Sequence, residues 1–180
     1  MKKILFSLIS ITLLFVSCKK ETSGDQIEDN ITFTEINKTI ILSKSDSIEG
    51  TCKKIIFEIK DVNSAEYTAI LKVNDQLICC DGYNNIFANT ENGNAITLDL
   101  NQKISENLNW VDINDICLDD FAGKGEKYIG YRSVSYGTGI PNYNYGWIKI
   151  ELSADKKTLK IISRATNYAE SKDIITGQIE

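Results

Sequence analysis

The stretch Gly146-Trp147-Ile148-Lys149-Ile150-Glu151-Leu152, then Ser153-Ala154-Asp155-Lys156-Lys157, then Thr158-Leu159-Lys160-Ile161-Ile162-Ser163-Arg164 decides the fold. Apolar and charged residues alternate along its first part. A polar loop follows, and the second apolar run is β-branched. This is the pattern of two strands joined by a hairpin. Tyr145 and Trp147 lie two residues apart, so on a strand they share one face.

Working outward, the same signals recur. Residues 127–134 read as a further strand after the break at Gly123-Lys124-Gly125, and Ile174-Ile175-Thr176 ends the fold before Gly177. Upstream, alternation from Ile31 through Phe33, a short run at 39–43, the stretch 55–59 and the stretch 67–73 all read as strands. Asn74-Asp75 predicts a turn into 76–80, and Asp81-Gly82 a break after it. Asn92-Gly93-Asn94 marks a turn before 95–100. Residues 101–127 mix Trp110, Val111, Ile113, Ile116 and Leu118 with many polar groups, and read as a short helix or a long loop. The single proline, Pro141, falls in a loop and leaves the strands uninterrupted. Many short strands separated by turns predict an all-β fold: an antiparallel β-sandwich or jelly-roll-like single domain over residues 31–180.

The N-terminus predicts an address. Lys2 and Lys3 precede an apolar run from Ile4 to Val16, and Ser17-Cys18 follow. As a helix this run spans about 20 Å, short of the ~30 Å hydrocarbon core of a bilayer. It resembles a bacterial lipoprotein signal peptide, residues 1–17, with Phe15 where Leu is commoner and Leu14 one position earlier. That resemblance implies cleavage before Cys18, a diacylglycerol on its sulfur and usually an N-acyl chain as well. Two or more acyl chains hold a protein stably at a membrane. In enterobacterial lipoproteins an Asp after the cysteine favours inner-membrane retention, and by that resemblance Lys19 implies the outer membrane. Residues 18–30 read as the lipidated cysteine and a flexible polar tether.

Charge and composition narrow the function. The formal net charge is −5, and loss of Lys2 and Lys3 with the signal makes the domain more acidic. Such a domain is unsuited to the phosphate backbone of nucleic acid. The chain has no histidine, which removes Ser-His-Asp and Cys-His catalysis and nearly all catalytic zinc sites. No cofactor and no metal site are expected, and no catalytic residue is assigned. With Cys18 given to lipid, Cys52, Cys79, Cys80 and Cys117 remain. An oxidising compartment suggests disulfides, with Cys52 and Cys117 each joined to one of the adjacent pair. Buried free thiols and a thiol-metal or redox site are the alternatives.

The C-terminal third also carries a family resemblance. Tyr128-Ile129-Gly130-Tyr131-Arg132, Tyr145-Gly146-Trp147-Ile148, Arg164-Ala165-Thr166-Asn167-Tyr168-Ala169 and Ile174 to Gly177 occur in order. They resemble the C-terminal half of uncharacterised bacterial, Bacteroidetes-like surface lipoproteins with an all-β secreted domain of the "YxGFRF…HYGW" type. The resemblance implies a fold and a surface location and is nearly silent on activity. Asn144 stands where that family commonly has histidine. Residues 46–52 lack the Asp-rich run that would suggest calcium.

The candidate ligand site is the aromatic, glycine-containing stretch 133–147. Tyr136, Asn142, Tyr143, Tyr145 and Trp147 supply rings that stack on sugars and polar edges that bond to them. The competing reading is that Tyr145 and Trp147 fill the core. Asp112, Asp115, Asp119 and Asp120 form the densest acid cluster, readable as a solvated loop or as carboxylates for glycoside hydrolysis. These observations predict a lipid-anchored, non-catalytic binding or adhesion module whose partner is a glycan or an envelope protein. The alternatives are a structural or accessory envelope protein acting by protein contacts, and a carboxylate-dependent carbohydrate hydrolase.

Overall fold

The computed structural model describes residues 28–49, 54–62, 66–74, 84–88, 92–111, 115–135 and 142–180. The signal peptide, Cys18, most of the tether, Cys52, Cys79, Cys80, Asp112, Tyr136, Pro141 and the expected strand at 76–80 lie outside the described residues.

The described strands are β1 (Ile31–Ile41), β2 (Ser45–Glu49), β3 (Lys54–Asp61), β4 (Tyr67–Asn74), β5 (Asn84–Ala88), β6 (Lys103–Ile104), β7 (Trp110–Val111), β8 (Asp115–Cys117), β9 (Glu126–Ser135), β10 (Asn142–Leu152), β11 (Thr158–Asn167) and β12 (Ile174–Ile175). One 3-10 turn covers Asp119–Phe121. The expected all-β antiparallel sandwich is the architecture. A six-stranded sheet in the order β1-β11-β10-β9-β5-β7 faces a four-stranded sheet in the order β2-β3-β4-β8.

Period-2 patterning builds the space between the sheets. On β3, Ile55, Phe57 and Ile59 are buried while Lys54, Glu58 and Lys60 are not. Their antiparallel partners Leu71 and Ala69 on β4 continue the same face. From the other sheet come Ile129 and Tyr131 of β9, Ile148 and Ile150 of β10, and Leu159 and Ile161 of β11. Each such large apolar side chain contributes roughly 1.5–3 kcal/mol by leaving water.

The six-stranded sheet is covered on its other face too. Tyr128, Tyr145, Trp147 and Ala165 form a second core with Leu98, Ile104 and Ile174. The cover is irregular: β6 and β12 pair with each other across it, with Ile174 opposite Ile104. The Tyr128 ring meets Trp147 edge-on at 5.3 Å, a favoured aromatic geometry.

A bulge lets β11 serve both cores. Its register against β10 shifts between Lys149 and Ile150, and against β1 between Glu35 and Lys38. Ile161 and Ala165 have the same parity along the chain, so an unbroken strand would point them to one face. The extra residue Ile162 turns the strand over. Ile161 therefore enters the first core and Ala165 the second. The same shift, with Asn37 at φ 52, interrupts the alternation of β1. The sequence accordingly reads as two short runs where the structure has one strand.

Other expected elements differ in extent. The stretch 95–100 makes only isolated bridges, such as Leu98 with Tyr128. Residues 101–127 hold strands of two or three residues and the 3-10 turn. Strands β10 and β11 both run further than their sequence pattern, back to Asn142 and on to Asn167.

Gly146 has a steric reason to be glycine. A Cβ there would lie 2.4 Å from Tyr131 Cζ and 2.6 Å from Ala165 O. The Tyr131 ring lies over this gap, and its hydroxyl reaches Thr166 Oγ1 at 2.5 Å and donates to Ala165 O at 3.3 Å. Gly146→Ala is expected to destabilise the fold by about 2 kcal/mol, as overpacking a closed core does. Urea unfolding of the variant against the parent checks this, and an unchanged midpoint would refute the steric account.

Candidate functional site

The site is built where β10 begins. Tyr143 and Tyr145 project from the outer face of the six-stranded sheet, with ring centroids 6.4 Å apart and planes 25° from parallel. Arg132 stands opposite Tyr145 on β9. Its guanidinium carbon lies 4.9 Å from the centroid of Trp110 and 4.5 Å from that of Tyr143. Trp110 also tilts onto Tyr145 at 5.8 Å and donates its indole N–H to Ser105 O at 3.0 Å. A cation between two rings gains from both π faces, roughly 0.5–2 kcal/mol each.

Two segments of the cover wall this aromatic floor. Ser105, Glu106 and Asn107 follow β6, and Ser171 and Asp173 precede β12. Ser171 N donates to Tyr143 O at 2.8 Å, which fixes the second wall to the floor. Lys103 and Asp173 pair at 2.5 Å across the rim. Together they enclose a pocket of about 470 Å³, within the range of about 300–1,000 Å³ typical of small-molecule sites.

Burial raises the Tyr145 phenol above its ordinary value. The Arg132 charge opposes that rise, and the carboxylates of Glu106 and Asp173 add to it. The pocket therefore sets the neutral Tyr145 phenol beside the Ser105 and Ser171 hydroxyls and the Asn107 amide, flanked by the Lys103–Asp173 pair and Glu106.

The sequence-predicted residues separate by depth. Tyr143 is half-buried and lines the pocket, as does Tyr145, which is only 2% exposed. Trp147 lies deeper, between Phe33 at 6.1 Å and Tyr128, and does not line the pocket. Its indole Nε1, like Asn142 Oδ1 and Arg132 Nε, is buried with no hydrogen-bond partner. Sequence reasoning missed Arg132, Trp110, Ser105, Glu106, Asn107 and Asp173 as a set. The one available signal was an unexplained Trp110 in an otherwise polar stretch.

The aspartates of 115–120 do different work. Asp115 is exposed on β8. Asp119 accepts from Thr68 Oγ1 at 3.1 Å and Ala69 N at 3.2 Å, and pairs with Lys156 at 2.8 Å. Asp120 accepts from Asn94 Nδ2 at 3.1 Å. These bonds tie loops to strands. A larger hollow of about 750 Å³ lies beside them, lined by Tyr67, Asp119, Lys156 and Lys157. Its charges are engaged: Lys156 by Asp119, and Lys157 over the Tyr67 ring at 5.0 Å. Cys117 is a free thiol whose sulfur stands 3.5 Å from Thr68 Oγ1.

Compared with protein-family models, curated proteins and solved structures, the chain matches none.

Tyr131 and Tyr145 are both held neutral by burial above the ordinary value of 10.0. The unfolded chain releases these protons near pH 10 while the folded chain keeps them. Their contribution to stability is thus complete below that pH and falls as pH rises through it. Urea midpoints across the alkaline range should decline, and less steeply in the Tyr131→Phe, Tyr145→Phe double variant. Equal slopes in the two proteins would refute this assignment.

Proposed function

We propose that the chain is the precursor of a lipid-anchored envelope protein, held at the outer membrane through Cys18, whose β-sandwich is a non-catalytic saccharide-binding module. The anchor reading rests on the sequence from Met1 to Cys18, and the resemblance to Bacteroidetes-like surface lipoproteins agrees with it.

The pocket under Tyr143 supports the binding reading. A sugar ring has an apolar C–H face and a rim of hydroxyls. The half-buried Tyr143 ring suits the face. The Ser105, Asn107 and Ser171 side chains and the Glu106 carboxylate suit the hydroxyls, as donors, acceptors or both. The floor is rigid because Arg132 is stacked and Tyr145 is buried, so little ordering cost accompanies binding. The carboxylates of the pocket are Glu106 and Asp173, and the second is engaged by Lys103. With no histidine in the chain, binding without turnover is the economical reading.

A glycan and polysaccharide screen on the mature chain tests the module. Binding to at least one saccharide is expected, weakened about tenfold by Tyr143→Ala through loss of one stacking contact. Failure to bind any saccharide, or an unaffected Tyr143→Ala variant, would sink the proposal. The anchor has its own test. Cells fed a labelled fatty acid should label the parent chain and not Cys18→Ser, and equal labelling would refute lipidation at Cys18.

A further inference from the structure

The chain enters the domain at a fixed point. The Asp29 carboxylate accepts from Asn167 Nδ2 at 2.8 Å and from Gln178 Nε2 at 3.4 Å, and pairs with Lys172 at 3.2 Å. Asn30 N donates to Asn167 Oδ1 at 3.1 Å, and Tyr168 N donates to Asn30 O at 2.7 Å. Lys172 sits between Ser171 and Asp173, both of which line the pocket. Entry point and pocket therefore share the segment 167–173.

Among the described residues, the same outer layer carries four of the seven exposed large apolar side chains. Leu100 is 60% exposed, Ile179 50%, Ile175 44% and Tyr168 39%. Leu100 packs against Gly177, where a Cβ would lie 2.3 Å from its Cδ1, so the side chains of 98–104 and 167–179 form adjoining ground. Exposed apolar groups gathered on one layer offer a surface that can meet a partner. Tyrosine, with an apolar body and a polar tip, suits a membrane interface in particular.

We infer that this outer layer is the face the domain turns toward the bilayer that holds its anchor, so that the Tyr143 pocket opens toward the headgroups. The inference rests on the lipid-anchor reading of Cys18. The chain between Cys18 and Asp29 can span at most about 40 Å, which keeps the domain near the membrane at high effective concentration. Because that chain enters through the outer layer, this layer is the one presented to the membrane, with the 153–158 hairpin at the other end of β10 and β11.

Hydrogen exchange tests the orientation. The acylated mature chain on phosphatidylcholine vesicles is compared with the Cys18→Ser chain in solution. Amides of 98–104 and 167–179 should exchange about fivefold or more slowly on vesicles, as for a surface newly shielded from water, while 153–158 exchanges equally. Uniform exchange, or slowing at 153–158 instead, overturns the inference. Leu100→Ser with Ile175→Ser, both at exposed positions, should abolish the slowing, and its persistence also overturns it. Slowing that requires a second protein would assign the surface to a protein partner and overturn it likewise. Holding the Cys18→Ser chain on nickel-chelating lipid by an N-terminal hexahistidine should reproduce the slowing. That arm reads the surface even where fatty-acid labelling fails, so the two failures are distinguishable.

Discussion

Gly146 lies beneath the ring of Tyr131, and the hydroxyl of that ring crosses β10 to reach Thr166 on β11. One side chain thus ties three strands. The contact tolerates only glycine at the centre, so it sets which residue of β10 faces which. A slip of one residue would bring a side chain under the ring and exchange the two faces of the strand. In the observed register Ile148 and Ile150 enter the core between the sheets, and Tyr143, Tyr145 and Trp147 point to the outer layer. The aromatic floor of the site is therefore a consequence of the register, which is held from the opposite face of the sheet.

The two faces are built to different standards. Between the sheets, the described core residues are aliphatic and aromatic side chains, with the Tyr131 hydroxyl bonded to Thr166 among them. On the outer side, short strands, turns and a cation between rings make the cover. Arg132 Nε, Asn142 Oδ1 and Trp147 Nε1 all belong to the β9–β10 ladder and are buried without partners. An orphaned buried polar group costs about 1–3 kcal/mol. Such groups gather where something other than stability selects the residue, and here they gather around the start of β10 and the layer above it.

Much of the sandwich was legible because strand periodicity is local. The alternation at 55–59 and across 146–152, with a polar hairpin between β10 and β11, carries its own evidence. The bulge at Ile162 was not legible, since it shows only as a register shift against two neighbours, and it divided β1 into two apparent runs. Strands of two residues, such as β6, β7 and β12, are too short for any period to be seen. The rings of Tyr143 and Tyr145 were visible as aromatic density. Whether the face they share is covered depends on Leu98, Ile104 and Ile174 from distant segments. For the same reason Trp147 is a core residue on the very face that carries the pocket, and Arg132, Glu106 and Asp173 converge from three separate stretches.

Asn167 shows how the irregular layer is made definite without long strands. It is fully buried. Its oxygen accepts from Asn30 N and Ala169 N, and its nitrogen donates to Asp29 and to Asp173 O. These side-chain bonds all go to segments with no regular ladder of their own. Thr176 does the same for the other wall, accepting from Gln102 N and donating to Asp99 O. Buried side-chain amides and hydroxyls thus replace the strand hydrogen bonds that the cover lacks. These bonds act beside the β6–β12 pair and the buried side chains of Leu98, Ile104 and Ile174, which hold the same layer onto the sheet. Through Asn167 and the segment that follows it, the pocket wall at Ser171 and Asp173 and the chain's entry point at Asp29 and Asn30 belong to one layer, laid over the aromatic floor of the six-stranded sheet.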